Sequence, residues 1–240
     1  MRLVNALAVP LLLVGLWWLV SGGSFYLPSP GRVAAAFAET WFSERILTDV
    51  LPSLARLAVG YTLAGVIGVG LGVAIGLSSG LRAAAEPVLE FFRAIPPPVL
   101  VPLIMLFAGI DNAMKVAVII SGCVWPILLN TVEGVRAIDE VLADTCKLYG
   151  VRLRHLVLRS ASPQIMTGLR QALSIGIILM VISEMFASSS GLGFTIVLFQ
   201  RGFQIAEMWS GIVLLGLIGW GLSLVFRMVE KRVLAWYHRA

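Results

Sequence analysis

The sequence predicts an all-α integral membrane protein with six transmembrane helices and both termini cytoplasmic. Three observations carry that expectation. Of the 240 residues, 59% are hydrophobic and only 13% charged, far more apolar than an ordinary soluble domain. The charges cluster between long uncharged runs, and Lys and Arg are shared unequally between alternate loops. A soluble chain of this length would need a polar surface that this composition lacks. A soluble enzyme, a disordered chain and a nucleic-acid module are thereby excluded.

The spans follow from the gaps between charges. None falls between Arg2 and Arg32, Arg56 and Arg82, Arg93 and Asp111, Lys115 and Glu133, or Glu207 and Arg227. A further apolar stretch after Pro163 is broken only by Arg170 before Glu184. Spanning a bilayer takes ~20 apolar residues, with every backbone group paired inside its helix. Helices are therefore expected near 4–21, 55–79, 86–109, 114–132, 164–187 and 208–228. With six spans, twelve Lys and Arg residues fall on the side of the termini and four (Arg32, Arg45, Lys115, Arg201) on the other. The positive-inside rule then makes the termini cytoplasmic. The +5 net charge reads as topology and gives no nucleic-acid footprint.

The first segment, 1–27, is expected to be an N-terminal transmembrane helix. Cleavage as a signal peptide is the alternative, with small residues at 21–23. Pro28 and Pro30 follow, then an amphipathic stretch over 33–42 that suits a short helix on the outer surface. In the second span Gly68, Gly72 and Gly76 recur every four residues, a face that lets another backbone come close. The third span opens on Pro96, Pro97 and Pro98, with Pro102 beyond. Missing N–H donors there imply either a kink beside a translocation path or a helix that begins after the prolines. Cys123 lies in an apolar run and Cys146 in a charged loop, so no disulfide is expected between them, and no metal-ligand spacing occurs.

Glu184 is the one acid in an apolar run. It lies 21 residues after Pro163, hence ~31 Å along a helix and near the outer interface. A structural polar contact and a gate or docking role both remain open for it. Arg170 is expected to snorkel to the headgroups. The loop 133–162 is long and carries charges of both signs. A short helix over 139–149 with an acidic first turn, a stop at Gly150, and a second amphipathic stretch over 153–159 form a protruding knuckle. That order suits a surface for a cytoplasmic partner.

Asp144-Thr145-Cys146, then Gly150 and Pro163, resemble the E-A-A-x-x-x-G…L-P loop of binding-protein-dependent ABC importer permeases. Asp replaces Glu, Thr and Cys replace the alanines, and Ser162 replaces Leu. Phe92-Arg93-Ala94-Ile95-Pro96-Pro97 is similar to the family's F-R-x-I-P. Ser53-Leu54-Ala55-Arg56, Ser183-Glu184-Met185 and Gly191-Leu192-Gly193 resemble the branch that imports nitrate, taurine and alkane sulfonates.

The resemblance implies the type I importer permease fold over a core at 28–230, with a coupling loop at 133–163 and a cytoplasmic tail at 231–240. It places the chain in the bacterial inner membrane, surrounded by lipid. Implied partners are a second permease copy in a homodimer, two ABC ATPase subunits and an extracytoplasmic substrate-binding protein. ATP and Mg would sit on the ATPase, since no Walker A G-K-[ST] occurs in this chain. The expected docking residues are Ala143, Asp144, Lys147, Leu148, Gly150 and Val151. Pro96, Pro97, Pro98, Ser121, Trp125, Asn130, Ser174 and Ser183 could line a path for a small anion, with helix packing as their alternative. Glu184, Gly191 and Gly193 are candidates for a gate or a binding-protein contact. Arg56 and Arg170 are the candidate anion partners within spans.

Two other classes compete. A stand-alone secondary transporter or channel would typically show paired intramembrane charges or an inverted repeat. A membrane-embedded enzyme would need a catalytic set, and no H-E-x-x-H, G-x-S-x-G or intramembrane His is present.

Overall fold

A computed structural model describes residues 2–21, 24–150, 153–186 and 188–237; side chains at 2–7, 10, 140, 143, 147 and 153–155 lie outside the description. Ten α-helices are described: α1 (Arg2–Val20), α2 (Pro30–Trp41), α3 (Leu51–Leu77), α4 (Ser79–Ala94), α5 (Val101–Ala108), α6 (Asn112–Arg136), α7 (Glu140–Leu148), α8 (Leu153–Phe186), α9 (Leu192–Arg201) and α10 (Ile205–Val233). Four stretches are long and apolar enough to cross a membrane: Ile46–Leu77, Asn112–Arg136, Leu156–Phe186 and Ile205–Val233. The pair Ser79–Ala94 and Pro97–Ala108, bent by 85°, makes a possible fifth. The protein is thus an all-helical membrane protein.

The core is a three-helix stack. The glycines of α3 lie against α6 in parallel order: a Cβ built on Gly68 would come 2.9 Å from Ile127 Cβ, on Gly72 2.6 Å from Thr131 Cβ, and on Gly76 2.7 Å from Val135 Cβ. Real Cβ atoms do not approach so closely, so the four-residue spacing expected to give close packing does give it. α8 runs the other way along α6. A Cβ on Gly168 would lie 2.7 Å from the Pro126 carbonyl oxygen, and one on Gly176 3.0 Å from Cys123 Sγ. Cys123 is buried and donates to the Ala172 carbonyl (3.2 Å), and both cysteines are free.

The prolines act differently by context. Ile95 and Pro96 each precede a proline, which disfavours helical ψ. Their ψ angles are 119° and 121°, and the chain turns there. The span expected near 86–109, with a kink or a fresh start at its prolines, is therefore two helices joined by a 3₁₀ turn at Pro97–Leu100. Pro163, expected to open the fifth span, instead lies inside α8. It leaves the Arg159 carbonyl without its helical donor, and Ser162 Oγ donates to that carbonyl at 2.8 Å. The knuckle's second stretch is accordingly the first part of a 34-residue helix.

α2 appears over Pro30–Trp41, close to the expected surface helix, and packs on α10. Trp41, 1% exposed, donates its indole N–H to Ser210 Oγ at 2.9 Å. α9 was not expected from the sequence. Its 10 residues are too few for a span, and it packs against α8 and α10.

The glycine ladder gives a paired prediction. Gly72→Ala should lower the stability of the detergent-solubilised protein by about 1–3 kcal/mol, the usual cost of overpacking. Gly70→Ala, with open space around it, should cost nothing. Thermal unfolding of the two variants measures the difference; equal midpoints would show that α3 and α6 are not in register as described.

Candidate functional site

The candidate functional side chains gather at the two ends of the α3–α6–α8 stack and around a cavity between them. At the Glu184 end, the spacing of Asp49, Ser53 and Arg56, four and three residues apart, puts them on one face of the Ile46–Leu77 helix. That face meets Glu184 near the end of α8. Arg56 Nη1 lies 2.6 Å from Glu184 Oε1, with side-chain exposures of 8% and 0%. The remaining guanidinium donors go to Asn112 Oδ1 (2.8 Å), the Ser190 carbonyl (3.2 Å) and Ser190 Oγ (3.2 Å).

The same face captures the start of α9. The first N–H groups of any helix lack intrahelical partners. Here Gly191 N–H donates to Asp49 Oδ1 (3.1 Å), Leu192 N–H to Ser53 Oγ (2.9 Å) and Gly193 N–H to Glu184 Oε2 (3.0 Å). Ser53 Oγ, 2.7 Å from Glu184 Oε1, donates in return. Two carboxylates at a helix N-terminus also complement its dipole. Gly191 has φ +119°, and a Cβ there would run into the Glu184 carboxylate. A Cβ on Gly193 would run into the Val181 carbonyl. Glu184, Gly191 and Gly193 are therefore brought together, as parts of one buried clasp.

Halfway along the stack a cavity of about 300 Å³ is lined by Arg93, Pro97, Trp125, Asn130 and Gln171, among others. Three of the expected path residues, Pro97, Trp125 and Asn130, thus share one wall. Trp125 stacks on Phe92 (5.8 Å between centroids, 6° between planes), and Asn130 Nδ2 donates to the Pro126 carbonyl (2.8 Å). The others lie elsewhere. Pro96 and Pro98 sit at the bend without lining this cavity. Ser121 donates to the Val118 carbonyl. Ser183 is wholly buried and donates to the Met180 carbonyl. Ser174 lines a separate cavity with Arg170 and Arg227. Arg170 does not snorkel free: it is ion-paired with Glu230 of α10, a partner 60 residues away that helical periodicity alone would not suggest. Arg56 is engaged in the clasp; the spacing of 49, 53 and 56 in the sequence shows their shared face, but not the Glu184 that it meets.

At the opposite end α7 projects from α8. Asp139 Oδ1 accepts the Leu142 N–H at 2.9 Å, capping its start. Gly150 follows with φ +68° and open space around it. Val141, Leu148 and Tyr149 are 73%, 87% and 82% exposed, and Asp144 is exposed beside them. Ala143 and Lys147 lie on α7, their side chains outside the description, and Val151 is outside the described residues.

Removing one partner of a buried ion pair typically costs about 3–5 kcal/mol. Glu184→Ala should therefore lower the thermal midpoint sharply and speed hydrogen exchange at the amides of Gly191 and Gly193. A variant with wild-type exchange there would remove the clasp from the account.

Over 97% of this chain and 87% of its own length, a Bacillus subtilis (strain 168) protein named for aliphatic sulfonates transport, SsuC, is 26% identical. The taurine transport system permease protein TauC of Escherichia coli (strain K12) is 26% identical over 98% of this chain and 89% of its own. The bicarbonate transport system permease protein CmpB of Synechococcus elongatus is 29% identical over 80% and 68%. Residues 64–235 match the family described as the binding-protein-dependent transport system inner membrane component. The chain belongs to that family, the multi-pass, non-catalytic permease subunits of ABC transporters in the inner membrane.

Proposed function

We propose that this chain is the permease subunit of an importer for a small anionic solute of the sulfonate, taurine, nitrate or bicarbonate kind, coupled through α7 and Gly150 to a separate ATPase. The relatives' named solutes support the anion. In this reading the chain crosses the membrane six times with both termini in the cytoplasm. Residues 1–27 form the first span, 28–230 the transport core, with its coupling loop at 133–163, and 231–240 a cytoplasmic tail. Two copies pair, each contributing the wall with Pro97, Trp125 and Asn130, so that the path runs between them. Pro96, Pro98, Ser121, Ser174 and Ser183 shape the helices that bear this wall.

The observation that carries the coupling role is the exposed apolar surface of α7. Val141, Leu148 and Tyr149 stand free in a segment that also holds Asp139, Asp144 and Lys147. Charges of both signs make that segment a poor lipid anchor, whereas a groove on an ATPase would cover the apolar atoms and leave the charges at its rim. Ala143, Asp144, Lys147, Leu148, Gly150 and Val151 form the docking surface. Two ATPases bind ATP and Mg, close on each other, and move the two coupling loops together. At the other end the clasp of Glu184, Gly191 and Gly193 holds α9 as a firm rim for the extracytoplasmic binding protein.

Gly150 provides the test. A β-branched residue in its left-handed conformation would cost roughly 1–2 kcal/mol and would re-aim α7 relative to α8. Gly150→Val should leave membrane insertion intact while reducing binding-protein-stimulated ATP hydrolysis by about tenfold, since a loss of ~1.4 kcal/mol at the interface corresponds to that factor. Normal stimulated hydrolysis in the variant would overturn the coupling role.

A further inference from the structure

Beside the clasp, a cleft of about 450 Å³ opens between the start of α6 and the three serines at 188–190. Lys115 lines it. This residue is only 5% exposed, yet its ammonium makes no hydrogen bond or ion pair with any described residue. Among the described residues the buried side-chain atoms left without a partner are Arg82 Nε and Thr195 Oγ1, so the unpartnered Lys115 ammonium opens onto the cleft, where a ligand can reach it. Arg56, also on the wall, is held by Glu184, Asn112 and Ser190, which leaves Lys115 as the cleft's cation without a contact ion pair; the Glu184 and Asp111 carboxylates act on it only through space. Asp111 lines the cleft too, but it is exposed to solvent and forms no ion pair among the described residues, so water screens it more.

Two further features favour an anion. Asp111, at the N-cap of the 25-residue α6, makes no side-chain capping bond, so the first N–H groups of the helix lack that side-chain acceptor. Ser189 is exposed there with its hydroxyl unengaged among the described residues. A charged acceptor between Lys115 and the Ser189 hydroxyl would gain short, charge-assisted hydrogen bonds.

We propose that this cleft binds a small free oxyanion, such as a sulfonate or carboxylate, with Lys115 as its counter-ion. It would serve as the first station on the permease itself after release from the binding protein. The inference rests on the importer reading and deepens it: part of the solute recognition would lie in this chain.

The test uses the intact permease–ATPase complex in detergent without binding protein. Trifluoromethanesulfonate is the probe and trifluoroethylammonium the cation control, both followed by fluorine NMR. Saturable broadening of the anion signal is expected, weakened about tenfold in Lys115→Gln by loss of one charge-assisted hydrogen bond and largely kept in Lys115→Arg. Ser189→Asp, on the exposed rim, should abolish binding by like-charge repulsion without touching a buried contact. Unchanged anion binding in both Lys115→Gln and Ser189→Asp overturns the site, as does preferential broadening of the cation. If the wild-type complex binds no probe and Lys115→Gln instead weakens association with the binding protein, Lys115 meets an acidic side chain of that partner and the proposal fails. Stimulation of ATP hydrolysis by the binding protein reports the importer reading separately, so its presence alongside absent probe binding overturns the cleft alone.

Discussion

Lipid tails are as apolar as leucine, so exclusion of water cannot press these helices together as it does in a soluble core. The stack of α3, α6 and α8 depends instead on glycines that let backbones touch. Gly68, Gly72 and Gly76 meet α6, and Gly168 and Gly176 bring α8 to its other side. Close approach multiplies weak dispersion contacts without asking a polar group to leave water. The surface that remains apolar, such as Leu106 and Phe107 at 83% and 85% exposure, faces outward at no cost in lipid.

A stack packed so closely leaves its polar work to its ends. At one end Asp49, Ser53, Arg56 and Glu184 convert the unsatisfied start of α9 into a fixed rim. At the other, Gly150 turns the chain so that α7 projects with apolar side chains exposed. Between them the prolines at 96–98 bend the chain away from the stack and leave a cavity beside Trp125 and Asn130. Rigid packing in the middle would transmit a push at one end to the other, which is what a coupled permease requires.

Much of this was legible in the residues. Uncharged runs marked the long helices, glycine spacing marked the α3–α6 contact, and the acidic turn before Gly150 marked α7. The missing parts share a physical cause. Arg170 with Glu230, and Arg56 with Glu184, are partners 60 and 128 residues apart, and local periodicity carries no information across such distances. α9 is too short to look like a span, and Lys115 counted as a loop charge until its burial set it apart. Pro163 failed to break α8 because Ser162, one residue away, serves the carbonyl that the proline leaves unpaired. Of the path residues, Pro97, Trp125 and Asn130 met in one cavity, while Ser183 and Ser121 donate within their own helices; serine in a span reads the same in sequence for either role.

The proposed coupling requires that this chain work through a separate ATPase held at α7. Native mass spectrometry of the chain co-expressed with the ABC ATPase measures it directly. An assembly of two permease copies and two ATPase subunits is expected, collapsing into permease and free ATPase when Leu148 and Tyr149 are both replaced by aspartate. A permease that holds no ATPase, or one that holds it equally well with that surface reversed in character, would contradict it.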